Sequence, residues 1–205
     1  LYDNNTVGTM GYLMAVTDNS GTHQLTYDNL GNLVEDKLTM AGFTATSRYH
    51  YNAKNQLIAL TYPGGRRIDF TLNSLGQISQ LSTTKNEHNQ ILASNIAYLP
   101  FGPVSAWLYG NGLSLSRQFD LDFRQVGQSL GYIENKTFAF TARSNIEMIT
   151  DSHNSRDNQN FAYSPLQSLI QANGDYGQLS FDYDAISNRL NRTDNGQNDH
   201  YNYAP

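Results

Sequence analysis

Apolar and polar positions alternate along much of the chain, and a seven-residue turn motif interrupts the alternation at regular intervals. The clearest copy is Tyr27-Asp28-Asn29-Leu30-Gly31-Asn32-Leu33. Leu25 stands two positions before Tyr27, so both side chains share one face of a strand. The same doublet precedes other copies, as Tyr49 and Tyr51, Phe70 and Leu72, Ile96 and Tyr98, Phe138 and Phe140, Phe161 and Tyr163, and Phe181 and Tyr183. The pattern predicts a strand that runs into each motif.

Residues typical of a tight turn follow the aromatic position. Asp28 can accept hydrogen bonds from backbone amides further along, and Gly31 adopts positive φ without steric cost. Other turn residues with the same side-chain chemistry as Asp28 are Asn52, Asn73, Asp120 and Asp184. At the glycine position stand Gly76 and Phe123, and we predict Asn55 and Asn145 as substitutes there. The aliphatic residues that we expect to begin the return strands are Leu33, Leu57, Ile78, Ile146, Leu169 and Leu190.

Copies of the motif recur from one end of the chain to the other. They begin at Tyr2, Tyr27, Tyr51, Leu72, Tyr98, Phe119, Phe140, Tyr163, Tyr183 and Tyr203, with 20 to 26 residues between successive starts. A nearly constant period of this length is typical of a repeat architecture. Each copy predicts a strand, a tight turn, a return strand and a second turn such as Pro63-Gly64-Gly65. We therefore predict a single repeat domain over residues 1–205, as a fragment of a longer protein.

Composition favours a thin sheet over a packed sandwich. The chain contains 14 tyrosines and has a mean hydropathy of −0.55. Tyrosine suits a half-wet surface, because its ring is apolar and its hydroxyl can reach water. The predicted fold is all-β, an antiparallel meander that forms a curved, single-layer sheet with little or no helix. About 20 strands would exceed the roughly 10 at which open sheets curl, and closing such a ribbon once would leave a lumen about 30 Å across.

Charge and composition exclude several classes of function. The net charge of −5 and pI near 5.4 argue against a nucleic-acid-binding surface. Cysteine is absent, so disulfides do not hold the fold together. No stretch reaches the length of a membrane span, and no signal peptide is visible. We predict no nucleic-acid partner and no membrane span.

Candidate chemical groups are scattered rather than clustered. Asp120 with Asp122, and Asp182 with Asp184, could face a cation, but calcium loops need more oxygen ligands, and we predict turn capping instead. Glu134 and Glu147 have no visible catalytic partner, and no nucleophile elbow, phosphate loop or zinc signature occurs. The histidines, which lie in different repeats without metal-ligand spacing, are His23, His50, His88, His153 and His200. We predict no catalytic, cofactor or metal site.

The candidate functional residues are therefore those of the repeat motif itself. They are Tyr27, Asp28, Gly31, Leu33, Tyr51, Asn52, Leu57, Gly76, Tyr98, Phe119, Asp120, Phe140, Tyr163, Tyr183 and Asp184. These residues resemble the YD repeats of the Rhs family, which is similar to component C of insecticidal Tc toxins and to teneurins. The family motif is roughly Tyr-Asp-x-x-Gly-Arg-Leu, and Tyr27 to Leu33 matches it except at Asn32. The resemblance covers essentially the whole chain.

The resemblance implies a hollow, spirally wound β-shell that encloses a C-terminal polypeptide toxin. The family's Asp-Pro-x-Gly-Leu-type self-cleavage segment is missing here, and no toxin domain follows, so the chain would be shell wall. The resemblance also implies a non-enzymatic scaffold from a bacterial protein that is secreted or displayed at the cell surface. Its expected partners are the polypeptide cargo and the remaining shell repeats. An alternative is a carbohydrate-binding module that uses Tyr98, Trp107 and Tyr109; an alternative fold is a β-propeller, and an enzyme is the remotest reading.

Three local features complete the expectations. The polar stretch from Thr83 to Gln90 predicts a protruding loop, and the run from Asp151 to Asn160 predicts a surface loop. The segments Leu13 to Thr17 and Leu179 to Tyr183 are predicted edge strands. Because an edge presents unpaired backbone groups, we expect weak self-association of the fragment through these strands or through the aromatic face.

Overall fold

The structure is a computed structural model that describes residues 11–203. The predicted copy at Tyr2 and its insertion from Asn4 to Met10 lie outside the described residues. The described residues form 18 β-strands and one 3-10 helix of three residues, Ser155–Asp157. The expectation of little or no helix is confirmed.

The chain divides into two compact units. The first comprises residues up to Ala97 together with Trp107–Gly112, and the second comprises Tyr98–Ala106 and residues from Leu113 onward. Strand β9 (Val104–Tyr109) contributes to both. The first unit holds β1 (Ala15–Asp18), β2 (Gly21–Tyr27), β3 (Leu33–Met40), β4 (Phe43–Tyr51), β5 (Leu57–Thr61), β6 (Arg67–Leu72), β7 (Ile78–Lys85) and β8 (His88–Tyr98, whose last residue falls in the second unit). The expectation of a single domain over residues 1–205 stays a prediction.

The second unit consists of the remaining strands. They are β10 (Ser114–Phe119), β11 (Gln125–Leu130), β12 (Glu134–Phe140), β13 (Ile146–Asp151), β14 (Gln159–Tyr163), β15 (Leu169–Gly174), β16 (Gly177–Tyr183), β17 (Arg189–Asp194) and β18 (Gln197–His200). From β1 to β8 and from β10 to β18, each strand pairs with its neighbour in sequence, always antiparallel. The predicted fold class, an all-β antiparallel meander, is confirmed. A propeller is wrong, because its blades contain four strands, whereas pairing continues from β10 to β18 without a break.

Each unit is one layer thick. The contacts between elements join neighbours in sequence, so no strand in the described residues packs its face on a distant strand of its unit. Burial is accordingly shallow: the buried apolar residues in the described part of the chain are Ala59, Ala93, Leu115 and Ala172. A sandwich would instead bury the whole inner face of each sheet. The half-polar composition therefore fits a single-layer sheet, as predicted.

A β-bulge follows nearly every repeat turn, and simple alternation did not predict it. Tyr27 is opposite Leu33, but Thr26 is opposite Glu35, so Val34 is an extra residue in the return strand. A bulge of this kind bends the strand and increases its local twist. Equivalent register shifts occur at Tyr51, Leu72, Phe119, Phe140, Tyr163 and Tyr183.

The bulge corrects one predicted strand start. Tyr183 is opposite Arg189, so Arg189 and not Leu190 begins the return strand of that copy. Leu190 is the extra residue of this bulge, and the apolar Val34 is the extra residue in the first described copy. In this copy a charged residue holds the paired position and the apolar residue follows it, so the first apolar residue after a turn does not always begin the return strand.

The two polar stretches behave differently. The stretch from Thr83 to Gln90 is not a protruding loop, because β7 runs to Lys85 and β8 starts at His88. Only Asn86 and Glu87 form the turn, with φ of +50° and +65°, the values that a tight two-residue hairpin requires. Between Asp151 and Asn160 the chain does leave the sheet at residues 152–158, so the loop prediction there is confirmed.

One predicted edge strand is wrong. The segment from Leu179 to Tyr183 belongs to β16, which is paired with β15 on one side and β17 on the other. The final hairpin, formed by β17 and β18, covers the side that was expected to be open. In residues 11–203, no helix is long and apolar enough to span a membrane.

The repeat turn as the candidate functional site

The eight described repeat turns share one backbone arrangement. We number the seven motif residues from position 1, the aromatic residue, to position 7, the first residue of the return strand. In the first turn, the Asp28 amide donates to the Asn32 carbonyl at 2.9 Å, and the Gly31 amide donates to the Asp28 carbonyl at 3.1 Å. The same two bonds, from position 2 to 6 and from position 5 to 2, occur in all eight copies. Positions 3 to 5 therefore form the loop.

The side chain at position 2 holds this loop from inside. Asp28 Oδ1 accepts hydrogen bonds from the amides of Leu30 and Asn32, both at 2.9 Å. This satisfies two backbone donors that would otherwise need water. The residues whose side chains accept the same pair of bonds in other copies are Asn52, Asn73, Asp120, Thr141 and Asp184.

Position 6 completes the lock by bonding back to position 2. Asn32 Nδ2 donates to Asp28 Oδ2 at 2.9 Å, and Arg124 Nε donates to Asp120 Oδ2 at 2.7 Å. Where position 2 is an amide, the direction reverses, and Asn52 Nδ2 donates to Gln56 Oε1 at 3.0 Å. Asn32, where the chain departs from the family motif, thus keeps the hydrogen bond that an arginine would make.

These bonds lower the pKa of the turn carboxyl groups. The pKa of Asp28 is lowered mainly by the hydrogen bond from the Asn32 side chain and then by backbone amides. For Asp120 and Asp184, burial acts to raise the pKa, but hydrogen bonds from Arg124 and Asn188 respectively, with those from backbone amides, outweigh it. The ionised form is therefore the one that fits the turn.

Position 5 adopts a left-handed backbone. Gly31 and Gly76 have φ of +84° and +80°, and Asn55 has +64°, as expected. The prediction of Asn145 is wrong, since Ser144 is the left-handed residue of that copy (φ +64°). The Tyr98 copy differs: there Phe101, at position 4, has positive φ. Other non-glycine residues with positive φ at position 5 are Phe123, Gln167 and Ser187.

In five copies, the tyrosine at position 1 ties the copy to the residues before it. The Tyr51 hydroxyl donates to the Leu33 carbonyl at 3.1 Å, so position 1 of one copy bonds position 7 of the preceding copy. The matching bonds join Tyr27 to Leu13, Tyr163 to Ile146, Tyr183 to Leu169 and Tyr203 to Arg189. Sequence reasoning missed this ladder, although the recurrence of tyrosine over phenylalanine was its signal.

The copies that begin with phenylalanine are joined differently. In the second unit, the Arg124 guanidinium lies 5.1 Å from the centre of the Phe140 ring, within the range of a cation–π contact. The same side chain donates to Ser144 Oγ at 2.9 Å. Side chains at position 6 of one turn thus reach the next turn, as Asn32 does when it donates to Asn55 in the first unit.

The scattered titratable groups form local pairs. His23 Nδ1 lies 2.8 Å from Asp36 Oδ1, and Glu134 accepts hydrogen bonds from Lys136 and Gln128. Asp120 and Asp122 both face Arg124, at 2.7 and 3.7 Å, so a side-chain cation occupies the place of a metal ion. In residues 11–203, no group of three or more candidate metal ligands comes together.

The aromatic residues of the glycan alternative lie in different units. Trp107 and Tyr109 are both on β9, with ring centroids 5.6 Å apart in an edge-to-face arrangement. Tyr98 belongs to the second unit. An open hollow of about 500 Å³ in the first unit is lined partly by Glu35 and Arg48, which form an ion pair at 3.0 Å. We see no convergent set of catalytic groups in it.

No protein-family model matches the chain, and no curated protein matches it by sequence. Solved structures match by fold. The TcdB2–TccC3 complex without its hypervariable C-terminal region superposes with a TM-score of 0.85 at 14% identity, over 98% of this chain and 12% of that chain. The TcdB2–TccC3–Cdc42 complex gives 0.84 at 14% identity, over 94% and 12%.

The Tc holotoxin pore of Photorhabdus luminescens, with the D651A mutation in TccC3, gives a TM-score of 0.83 at 14% identity, over 94% of this chain and 12% of that chain. The chain therefore spans about an eighth of the length of the structures that it matches. At this level of identity the likeness shows the fold: an antiparallel repeat sheet of the kind that these toxin complexes contain.

Proposed function

We propose that this chain is a structural wall segment of an Rhs-type β-shell that encloses a C-terminal polypeptide toxin. The observation that carries the proposal is the uniform repeat turn. All eight described copies share the same backbone bonds, and tyrosine hydroxyls or turn side chains join many copies to their neighbours. Such a sheet is a regular surface whose polar side chains are used to hold it together.

The mechanism is steric. A sheet one layer thick covers a large area per residue, and a cargo behind it is separated from proteases and from targets in the producing cell. The fold likeness to the TcdB2–TccC3 complex, solved without its hypervariable C-terminal region, supports this role. Export to the outside of a bacterial cell, with the remaining repeats and the cargo as partners, follows from the same proposal.

The proposal is tested with the longest reading frame that contains this chain. The intact protein is treated with protease, and the survival of the segment C-terminal to the repeats is followed over time. We expect that segment to resist cleavage in the intact protein and to be cut rapidly after denaturation. Cleavage at the same rate in both states would contradict encapsulation.

A matched pair of variants makes this experiment specific to the wall. Gly31→Val with Gly76→Val strains two repeat turns, whereas Gly42→Val with Gly65→Val changes two turns of similar φ at the other end of the strands. We expect the first variant to expose the cargo more than the second. Equal protection in both would mean that this segment does not form the barrier.

Carbohydrate binding is retained as a second candidate on the strength of the Trp107–Tyr109 ring pair, since aromatic faces stack on sugar rings. Trp107→Ala and Tyr109→Ala should then each abolish binding on a glycan array, with Tyr62→Ala as a control on an exposed aromatic residue. Absence of any bound glycan for the unmodified chain would end this alternative.

A further inference from the structure

The connection between β13 and β14 differs from the other connections between strands. It spans residues 152–158, includes the 3-10 helix Ser155–Asp157, and is the longest such connection within residues 11–203. The turns at this edge of each unit, which we call the intervening turns, join one repeat to the next. Tight examples are Asn86-Glu87 and Asn195-Gly196. Because two residues can close such a turn, the longer loop is an addition that the sheet does not require.

Hydrogen bonds hold this loop in one conformation. Asp151, only 4% exposed, accepts from the His153 amide at 2.8 Å, and its own amide donates to Asn158 Oδ1 at 2.7 Å. Inside the loop, Asn154 Oδ1 accepts from the Arg156 amide at 3.3 Å. Because these bonds close the base of the loop, its outward side chains can bind a ligand at a low cost in conformational entropy.

A hollow of about 380 Å³ lies between the loop and the turn that joins β15 to β16. Ser155, Arg156 and Asn158 line it from the loop, and Gly174 and Asp175 line it from the turn. Its volume is in the range of small-molecule sites, which are usually about 300–1,000 Å³. Sites for drug-like ligands are mainly apolar, whereas the side chains that line this hollow are all polar. The ligand that fits it is therefore polar as well.

Two asparagine side chains form the floor of the hollow. Asn160 on β14 is directly opposite Asn173 on β15, so the two amides lie side by side on one face of the sheet. The turn is held in place as well, since Asn195 Nδ2 donates to the Tyr176 carbonyl at 3.1 Å. A Cβ on Gly174 would lie 2.7 Å from the Tyr176 ring, so this ring packs closely on the glycine. The floor and both walls are thus fixed before a ligand binds.

The protein does not use the polar groups that line the hollow. Within residues 11–203, the side chains of Asn160, Asn173 and Asp175 make no hydrogen bond or ion pair with protein, and neither does Nδ2 of Asn158. Amides elsewhere in this unit are bonded, as the Asn191 side chain is to both neighbouring strands. A single exposed polar group normally binds water, but the convergence of several free donors and acceptors on one hollow is typical of a binding site.

The charges of the lining select the class of ligand. Arg156 and Asp175 are its cation and its anion, so their charges cancel, and the amides of Asn160 and Asn173 each offer a donor and an acceptor. An anion would be repelled by Asp175. A metal ion would find too few oxygen ligands, since no group of three candidate ligands comes together in residues 11–203. A sugar hydroxyl group is uncharged and is both donor and acceptor, so a neutral sugar complements these side chains.

We propose that this hollow binds a neutral carbohydrate, whose adjacent hydroxyl groups bond to the Asn160 and Asn173 amides and to the charged pair beside them. An extended peptide fits less well, because β14 and β15 already have a strand on both sides and leave no edge for it to join. The site shares no residue with the Trp107–Tyr109 pair, and it does not depend on the chain being a shell segment.

A glycan array of neutral sugars, probed with the full chain, first selects the ligand, since multivalent display detects weak binding. The sugar that binds best is then titrated in solution into the ¹⁵N-labelled chain, and NMR follows the side-chain amide signals. We expect the signals of Asn158, Asn160 and Asn173 to shift until they saturate, with smaller changes elsewhere.

Matched variants separate the hollow from the rest of the surface. Asn160→Ala with Asn173→Ala removes the floor, and Arg156→Gln removes the cation. The control, Thr193→Ala with Asn198→Ala, removes another cross-strand polar pair of the same unit. We expect each site variant to raise the dissociation constant by about tenfold or more, and the control to change it by less than about twofold. Circular dichroism confirms that each variant keeps the β signal of the unmodified chain.

Other outcomes contradict the proposal. If no neutral glycan binds, or if the amide signals of the hollow do not move, the hollow is not a carbohydrate site. Binding that survives without the Asn160 and Asn173 side chains but is lost in Trp107→Ala would place the sugar on the ring pair instead. Binding of inorganic phosphate alone, lost in Arg156→Gln, would assign an anion site. An equal loss of affinity in the control would mean that the substitutions act through the sheet.

Discussion

The turns at the two edges of each unit differ in how often side chains hold them. The intervening turn from Tyr62 to Arg66 makes the same two backbone bonds as a repeat turn, but a tyrosine stands at position 2. A repeat turn has three loop residues, and the side chain at position 2 binds the loop amides, as Asp28 does for Leu30 and Asn32. An intervening turn such as Ala41-Gly42 has two loop residues, both with positive φ, +46° and +83°. Further two-residue turns of this type are Asn86-Glu87 and Asn195-Gly196.

The difference explains where the sequence repeats. A two-residue hairpin needs only backbone angles, which several residue types can supply at differing cost. Six of the eight described repeat turns also have an oxygen at position 2 that accepts from two loop amides, and seven have a left-handed residue at position 5. Selection for these coupled requirements leaves a visible motif, whereas selection for backbone angles alone leaves little. The repeat is thus the signature of side-chain locking.

The largest expected effect compares the glycines of the two kinds of turn. Gly31 and Gly42 have nearly the same φ, +84° and +83°, so valine is strained at both, at about 1–3 kcal/mol. A Cβ on Gly31 would also collide with the Tyr12 side chain, which stacks on Tyr27 at 4.8 Å, whereas nothing lies near Gly42. We expect Gly31→Val to lower the free energy of unfolding by about 1 kcal/mol or more beyond Gly42→Val.

Urea denaturation of both variants measures this difference. Gly31→Val should also be more harmful than removal of the capping carboxylate in Asp28→Ala, because the cap can be replaced by water and the strain cannot. Equal losses for Gly31→Val and Gly42→Val would show that neighbouring copies do not pack over the repeat turn.

A smaller effect is expected from the tyrosine ladder. Tyr51→Phe removes the donor to the Leu33 carbonyl and should lower the free energy of unfolding by about 1 kcal/mol. Tyr62→Phe, at an intervening turn where the residue is 46% exposed, is the control and should change it by less than about 0.5 kcal/mol. Thermal denaturation of the two variants suffices. If Tyr51→Phe leaves the free energy of unfolding unchanged, the hydroxyl bond does not stabilise the contact between copies.

The smallest effect is on pH dependence. The pKa values of Asp28 and Asp184 are lowered from an ordinary value of 3.8, so the unfolded state binds protons first as pH falls. The stability that these carboxylates contribute is present above that value and is lost as pH falls through the lowered pKa. Other copies have an Asn–Gln pair where these two have Asp–Asn. We expect the exchange to this pair to weaken the fall in melting temperature between about pH 5 and pH 3. The substitutions are Asp28→Asn with Asn32→Gln, and Asp184→Asn with Asn188→Gln.

The other carboxyl groups titrate in both proteins and cancel in the comparison. The melting temperature of the protein with the exchanged pairs should therefore depend less on pH, and this protein should remain folded at neutral pH. Parallel profiles for the two proteins would mean that the turn carboxylates are not stabilised in the folded state.

The sequence was sufficient for features that are local in the chain. The position of each repeat turn, the left-handed Gly31 and Asn55, the antiparallel meander and the thin core all follow from short patterns and composition. The sequence was not sufficient for features that depend on the register between two strands. The bulge that moves Leu190 out of the paired position, and the hydroxyl bond from Tyr51 to Leu33, are properties of register.

Polar stretches were the other source of error. In a packed domain a run such as Thr83 to Gln90 would leave the sheet, because its side chains could not enter a core. In a single layer both faces of many strands meet water, so a polar run can remain a strand and turn at Asn86-Glu87. The edge predicted at Leu179 to Tyr183 is wrong for another reason: the hairpin β17–β18 continues the sheet beyond it.

Site-resolved hydrogen exchange by NMR tests most directly whether side chains lock the repeat turns. The amide of Leu30, which donates to Asp28 Oδ1, should exchange slowly although its residue is at an exposed turn tip. The amide of Gly42, in an intervening turn, should exchange rapidly, and Asp28→Ala should make Leu30 as fast as Gly42. If Leu30 and Gly42 exchange at similar rates in the unmodified chain, the repeat turn is not locked by its side chains, and the central claim is wrong.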